Sequence, residues 1–180
     1  RLLADILFAT ADNMGNAAKF GDTGSGLTGF SNYAHYLMTY STRVYGDGRH
    51  HWISQFLNRR SGHLRLDEPP REPVDLYGVQ RVPLSRAIYL HQAGRKRLPE
   101  WRAVPWGSAF DKIAFRADAR PESPYLLLDG LGGMGHGQDD CNAIVRVSAR
   151  GQVWLMDAAY DLKTMYDHNG IFVARDGRAD

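Results

Sequence analysis

The stretch Asp67-Glu68-Pro69-Pro70-Arg71-Glu72-Pro73 constrains the fold most. Three prolines in seven residues remove backbone donors and fix φ, so no helix runs through it. The sequence has a different texture on each side. Before it, apolar residues recur at helical spacing, with Leu2, Leu3, Ile6 and Leu7 in one run and Phe8 beside them. A Gly-rich loop spans 15–29. Phe30, Tyr33, Tyr36, Leu37, Met38 and Tyr40 then predict a second helix, broken by Gly46-Asp47-Gly48. Trp52, Ile53, Phe56 and Leu57 predict a third, and the aromatic stripe is expected to pack as helix core.

From Arg86 onward the pattern is that of strands. Ala87 to Leu90, Trp101 to Trp106, Ile113 to Ala117 and Tyr125 to Leu128 are short runs separated by turn residues. Asn142 to Ser148 and Gln152 to Met156 flank Ala149-Arg150-Gly151, a hairpin signal in which Gly151 is free to take positive φ. Ile171 to Ala174 is one more strand, closed by Asp176-Gly177. Helices followed by strands predict an α+β chain in two units, 1–60 and 86–180, joined by a connector over 61–85. Arg1 stands inside an apolar helical pattern and Asp180 follows strand-like residues, so the chain is expected to be a piece of a longer protein.

Composition excludes some classes. The formal net charge is +2 over 180 residues, which demands neither a nucleic acid nor a membrane surface as partner. No apolar run approaches the roughly 18 residues a membrane span needs. Cys141 is the one cysteine, so no internal disulfide or cysteine metal cluster forms.

Candidate chemistry gathers in the second unit. Gly132, Gly133 and Gly135 precede His136, and Gly137-Gln138-Asp139-Asp140 follow it, in a loop bounded by apolar strands. The glycines let the backbone turn sharply and leave room for a large ligand. Asp157 ends the strand Val153 to Met156, and Asp167-His168-Asn169-Gly170 precedes another. These three places are expected to lie together on one sheet edge. Imidazole and carboxylate together suit either a metal such as zinc or general acid–base catalysis near neutral pH. The plainer role for both histidines is to satisfy loop backbone groups. His50-His51, after the Gly-Asp-Gly turn, is expected on the surface.

Four blocks carry a resemblance. Tyr125-Leu-Leu-Leu, Gly135-His136-Gly137-Gln138-Asp139-Asp140-Cys141-Asn142, Gly151-Gln-Val-Trp-Leu-Met-Asp157 and His168-Asn169-Gly-Ile-Phe-Val-Ala-Arg-Asp176-Gly177 together resemble the start of the β-sandwich of heparinase II/III-like polysaccharide lyases. Phe20-Gly21-Asp22 resembles the Gly-Asp element late in that family's helical toroid. The resemblance implies the end of an (α/α) toroid followed by an antiparallel β-sandwich. It implies β-elimination on a uronate-containing glycan, in a periplasmic or secreted protein. By position, His136 matches the catalytic-type histidine, and Asp157 and His168 match two metal ligands. Gln138 and Asn142 stand as candidate substrate contacts. Gln138 also occupies the place of the family's first zinc-binding histidine, and a neutral amide is a weak zinc ligand. The resemblance thus leaves three states open: no metal, a harder divalent ion on Asp140, Asp157 and Gln138, or weakly held zinc. Arg146, Arg175 and Arg178 are expected either to bind carboxylates or sulfates of the substrate or to be surface residues. Two other function classes stay in view, a non-catalytic glycan-binding relative and a metal-dependent glycan hydrolase.

Overall fold

The computed structural model describes residues 1–18, 32–61, 78–83, 86, 90, 105–130, 143–157, 168–170, 174–175 and 178–179. Three helices lie before the proline-rich stretch: α1 (Leu2–Thr10), α2 (Asn32–Tyr45) and α3 (Gly48–Ser61). A five-stranded antiparallel sheet follows, built of β1 (Gly78–Pro83), β2 (Phe110–Arg116), β3 (Tyr125–Asp129), β4 (Ile144–Ala149) and β5 (Gln152–Met156) in that spatial order. β6 (Ala174–Arg175) and β7 (Arg178–Ala179) pair separately. The described chain is therefore α+β, with an open meander in which each strand pairs with its neighbour in sequence.

Local chemistry sets the helix ends. Gly46 takes φ 67° and donates its N–H to Thr42 O, which stops α2. One residue later the Asp47 carboxylate accepts the Arg49 N–H and caps the start of α3. Ala34, Met38, Ser41 and Thr42 share the buried face of α2, and Ala34 and Met38 pack with Ala4, Phe8, Ala11 and Ile53. Trp52 meets Phe8 edge-on, with centroids 6.0 Å apart. Tyr36 and Tyr40 depart from the expected core: they lie on the opposite side of α2, 56% and 64% exposed. Helical period, not residue type, decides this, because positions 36 and 40 are turned away from 34, 38 and 42.

Several strands follow their sequence signals, the hairpin most closely. Arg150 and Gly151 take φ 55° and 68°, the pair of positive values that a two-residue turn with the right twist requires. Elsewhere the structure corrects the expectation. Arg86 and Leu90 are helical where a strand was expected, and Trp106–Ser108 is a 3-10 turn. β1 lies inside the stretch read as connector. It pairs with β2 from Gly78↔Arg116 to Pro83↔Phe110, and its terminal proline sits at a register slip on an edge strand, where a missing N–H costs no ladder bond.

One sheet face packs on the helical part. Val82, Ala114, Tyr125, Leu127 and Val145 form a core with Ala9 and Ala18. Arg116 pins the layers together. Its Nη1 donates to Asn13 Oδ1 at 2.7 Å, and its Nη2 to Phe8 O at 2.6 Å and to Ala11 O. These carbonyls belong to the C-terminal turn of α1 and its exit, where a cation is favoured. The rings of Phe8, Tyr125 and Trp52 lie 4.7, 4.7 and 5.1 Å from the guanidinium carbon. The Tyr125 hydroxyl donates to Ala9 O at 2.5 Å, and burial pushes it well above its ordinary pKa. Beside them Arg146 Nη1 donates to Asp12 Oδ2 at 2.9 Å, with both side chains fully buried. Arg146 is therefore a structural pin rather than the solvent-facing arginine the sequence suggested.

The opposite face is apolar in register across all five strands: Val79, Phe115, Leu126, Val147 and Leu155 pair in one row. Val79 and Phe115 remain exposed there.

Candidate site at one end of the sheet

Backbone bonds draw several segments to one end of the sheet. Asp129, at the end of β3, donates its N–H to Ala143 O, and Asp157, just past β5, donates to Val145 O. Ala143 forms an isolated bridge with Gly170, and Ile144 N–H donates to Asn169 O. Strand ends separated by the segment 158–167 are thereby brought side by side. Two of the three places expected together, the exit of β5 and the 168–170 segment, share one edge with the start of β4. The expectation extended to His136, Gln138 and Asn142, and these lie outside the described residues, as do Asp139 and Asp140.

This end carries a dyad. His168 Nδ1 lies 2.9 Å from Asp157 Oδ1, and the two side chains are 5% and 7% exposed. With Nδ1–H donated to the carboxylate, Nε2 holds the lone pair. That Nε2 is buried and has no hydrogen-bond partner among the described residues. An imidazole oriented by a carboxylate with its other nitrogen free is the usual arrangement of a metal-ligating histidine and its supporting acid. His168 Nε2 is thus one available donor for a divalent transition metal, and Asp157, expected from the resemblance as a second ligand, has Oδ1 against Nδ1 of the ring instead. The same arrangement suits a histidine that exchanges protons.

A second charged group sits at the end of β3, just before the segment that carries His136 in sequence. Lys112 Nζ donates to Asp111 Oδ1 at 2.7 Å and to Asp129 Oδ1 at 2.9 Å, and Lys112 and Asp129 are buried. Burial works against the ammonium, but the carboxylates of Asp129 and Asp111 outweigh it and raise the lysine above its ordinary pKa. Gly130, the next residue, donates its N–H to Asp111 O. Its missing side chain is required, because a Cβ would stand 2.4 Å from Phe110 O. Sequence reading missed Lys112, Asp111 and Asp129. The one local signal is an acid immediately before a glycine-rich loop; the cross-strand register that sets Lys112 opposite Asp129 has no local signature.

No match is found among family models, curated proteins or solved structures.

A third polar cluster lies where the helices meet, away from the sheet end. His50 joins all three: Nδ1 is 2.8 Å from Ser41 Oγ, and Nε2 is 3.1 Å from Asp5 Oδ1 and 3.9 Å from Asp47 Oδ2. His50 is fully buried and His51 nearly so, which overturns the surface position expected for both. The reason is the α3 cap. Asp47 starts the helix so that position 50 faces α1 and α2. Ser41, His50 and Asp5 have the residue types of a nucleophilic triad, but Ser41 is buried on the side away from solvent. Asp5, Asp47 and His50 also have their ligand atoms within 4.8 Å of one another. Arg49 already bridges the two carboxylates, with Nη2 2.5 Å from Asp47 and 3.3 Å from Asp5. Burial acts to raise the Asp47 carboxyl, but the hydrogen bonds from Arg49, with His50 nearby, outweigh it and hold it at about 2. The cluster is a balanced ion-pair junction in which a guanidinium takes the place a cation would occupy.

Proposed function

We propose that this chain belongs to a polysaccharide lyase that cleaves a uronate-containing glycan by β-elimination. The observation that supports it best is the pairing of Asp157 with His168 at the sheet end from which the His136 loop departs. The residue blocks that resemble heparinase II/III-like lyases place their chemistry at these positions. On this reading α1–α3 are the end of an (α/α) toroid and the five-stranded sheet is one layer of a β-sandwich. The in-register apolar row from Val79 to Leu155 suits a face that a second layer covers. The place of action is the periplasm or the exterior of the cell.

The chemistry follows from the substrate. A base takes the C5 proton of the uronate. The C–H electron pair forms the C4–C5 double bond, and the C4–O bond breaks as the glycosidic oxygen accepts a proton. The developing negative charge on the uronate carboxyl must be stabilised in the transition state. His136 is assigned proton transfer, with Gln138 and Asn142 as amide contacts to the sugar. His168, held by Asp157, is assigned to hold a divalent metal through Nε2 when one is bound, and such an ion supplies positive charge near the anionic substrate. Lys112 keeps the carboxylates at the sheet end paired, so that they do not repel an acidic polymer.

Incubating the protein with a panel of polyuronates and glycosaminoglycans, and following the ultraviolet absorbance of the unsaturated uronate, tests the proposal. A rise with one polymer that disappears in His136→Ala is the expected result. Saturated products, or chelator-sensitive release of reducing ends without the new absorbance, would replace elimination by metal-dependent hydrolysis. Gln138, standing where the family has a zinc-binding histidine, favours one second reading, a glycan-binding relative without activity. Retained binding with no product from any polymer is its signature.

A further inference from the structure

Trp154 takes no part in the contacts above, and its setting is unusual. β5 is one of the two edge strands of the five-stranded sheet. Val147 pairs with Leu155 and Ser148 with Val153, so Trp154 is the extra residue of a bulge. Bulges re-aim a side chain and recur beside functional sites. The indole is 61% exposed, yet it is anchored: Nε1 donates to Ala149 O at 2.9 Å. That bond uses the polar edge of the ring and fixes its orientation, leaving an apolar ring open to water. A single exposed apolar residue is ordinary. A tryptophan placed by a bulge, tied down by its N–H and set on an edge strand is a prepared surface, and binding to it costs little rotamer freedom. The same hairpin offers polar groups. Arg150 is exposed at its tip, next to the Ala149 carbonyl that anchors the ring, and Gln152 is exposed on the strand. Asp157 lies three residues further along, about 10 Å at the strand rise of about 3.3 Å per residue.

A flat π face, a cation and an amide within one hairpin fit the apolar C–H face of a pyranose ring that carries an anionic group. We infer that Trp154 is a stacking platform for a sugar unit of an acidic glycan, with Arg150 pairing that glycan's carboxylate or sulfate. A short oligosaccharide seated on Trp154 is long enough to span the roughly 10 Å along β5 to the sheet end where Asp157 stands. The inference rests on the glycan reading proposed above and adds a subsite to it.

The test uses the whole chain with size-defined oligosaccharides of an unsulfated polyuronate and of a sulfated glycosaminoglycan. Tryptophan fluorescence and affinity electrophoresis report binding. Trp154→Ala is expected to weaken binding by about tenfold, the size of one good aromatic contact, with an unchanged melting temperature. Trp154→Phe should keep most of the affinity. Arg150→Ala should weaken binding and flatten its salt dependence, and whichever oligosaccharide loses more identifies carboxylate or sulfate as its partner. Wild-type affinity in Trp154→Ala, in a protein that binds glycan, overturns the platform and leaves the proposed function standing. Failure of the unaltered chain to bind any acidic glycan removes both.

Discussion

Replacing Arg146 by methionine tests how the two layers are held together. The Asp12–Arg146 pair is fully buried at 2.9 Å, between the turn after α1 and the middle of β4. At that distance and an effective dielectric near 20 the gross attraction is about 6 kcal/mol. Most of it is offset by desolvation, and Arg146 Nε and Nη2 find no hydrogen-bond partner among the described residues, which adds to the cost of keeping the charge inside. Methionine fills similar space but leaves Asp12 as a buried carboxylate supported by the N–H groups of Met14 and Asn16 and a longer contact from the Asn16 amide, with the Arg116 charge nearby and no longer a direct ion pair. The expected loss for Arg146→Met is about 3–5 kcal/mol, the usual result of breaking a buried pair from one side. Adding Asp12→Asn removes the stranded charge, so the double variant should recover most of that loss. Urea titrations followed by circular dichroism give the full cycle. Strictly additive effects, or an Arg146→Met protein within about 0.5 kcal/mol of the parent, would refute the claim that these charges hold each other inside.

Two further outcomes follow from the geometry. Gly130→Ala places a methyl group 2.4 Å from Phe110 O, so it should destabilise by about 1–3 kcal/mol in thermal melts, and a melt like that of the parent would count against the close approach of β2 to the end of β3. Asp47 has a folded pKa of about 2 against an ordinary 3.8, so its contribution is complete above 3.8 and lost as pH falls through 2; the melting temperature of Asp47→Asn should decline less steeply than the parent's in that window, and parallel declines would contradict the assignment.

The sequence by itself determined the kinds of element and their order. Helical spacing around Leu7 and Met38 and alternation through Ile113 and Leu127 are local periodicities, and they set helices before strands. The helix break at Gly46-Asp47-Gly48 and the Ala149-Arg150-Gly151 hairpin were legible for the same reason, since helix stops and tight turns depend on a few adjacent residues. So was the meeting of the β5 exit with His168, through the order of the loops and strands around it. Only the tertiary structure decided which side of each element is buried and what lies across the sheet. Tyr36 and Tyr40 face out, and His50 faces in, because helix packing fixes one face of α2 and α3. Arg146 became an interior pin because Asp12, far away in sequence, is folded onto β4. Lys112 met Asp129 through strand register, and Trp154 was aimed outward by one extra residue in β5. Each of these depends on pairing between distant segments, and no local pattern in the chain encodes which distant partner a side chain meets.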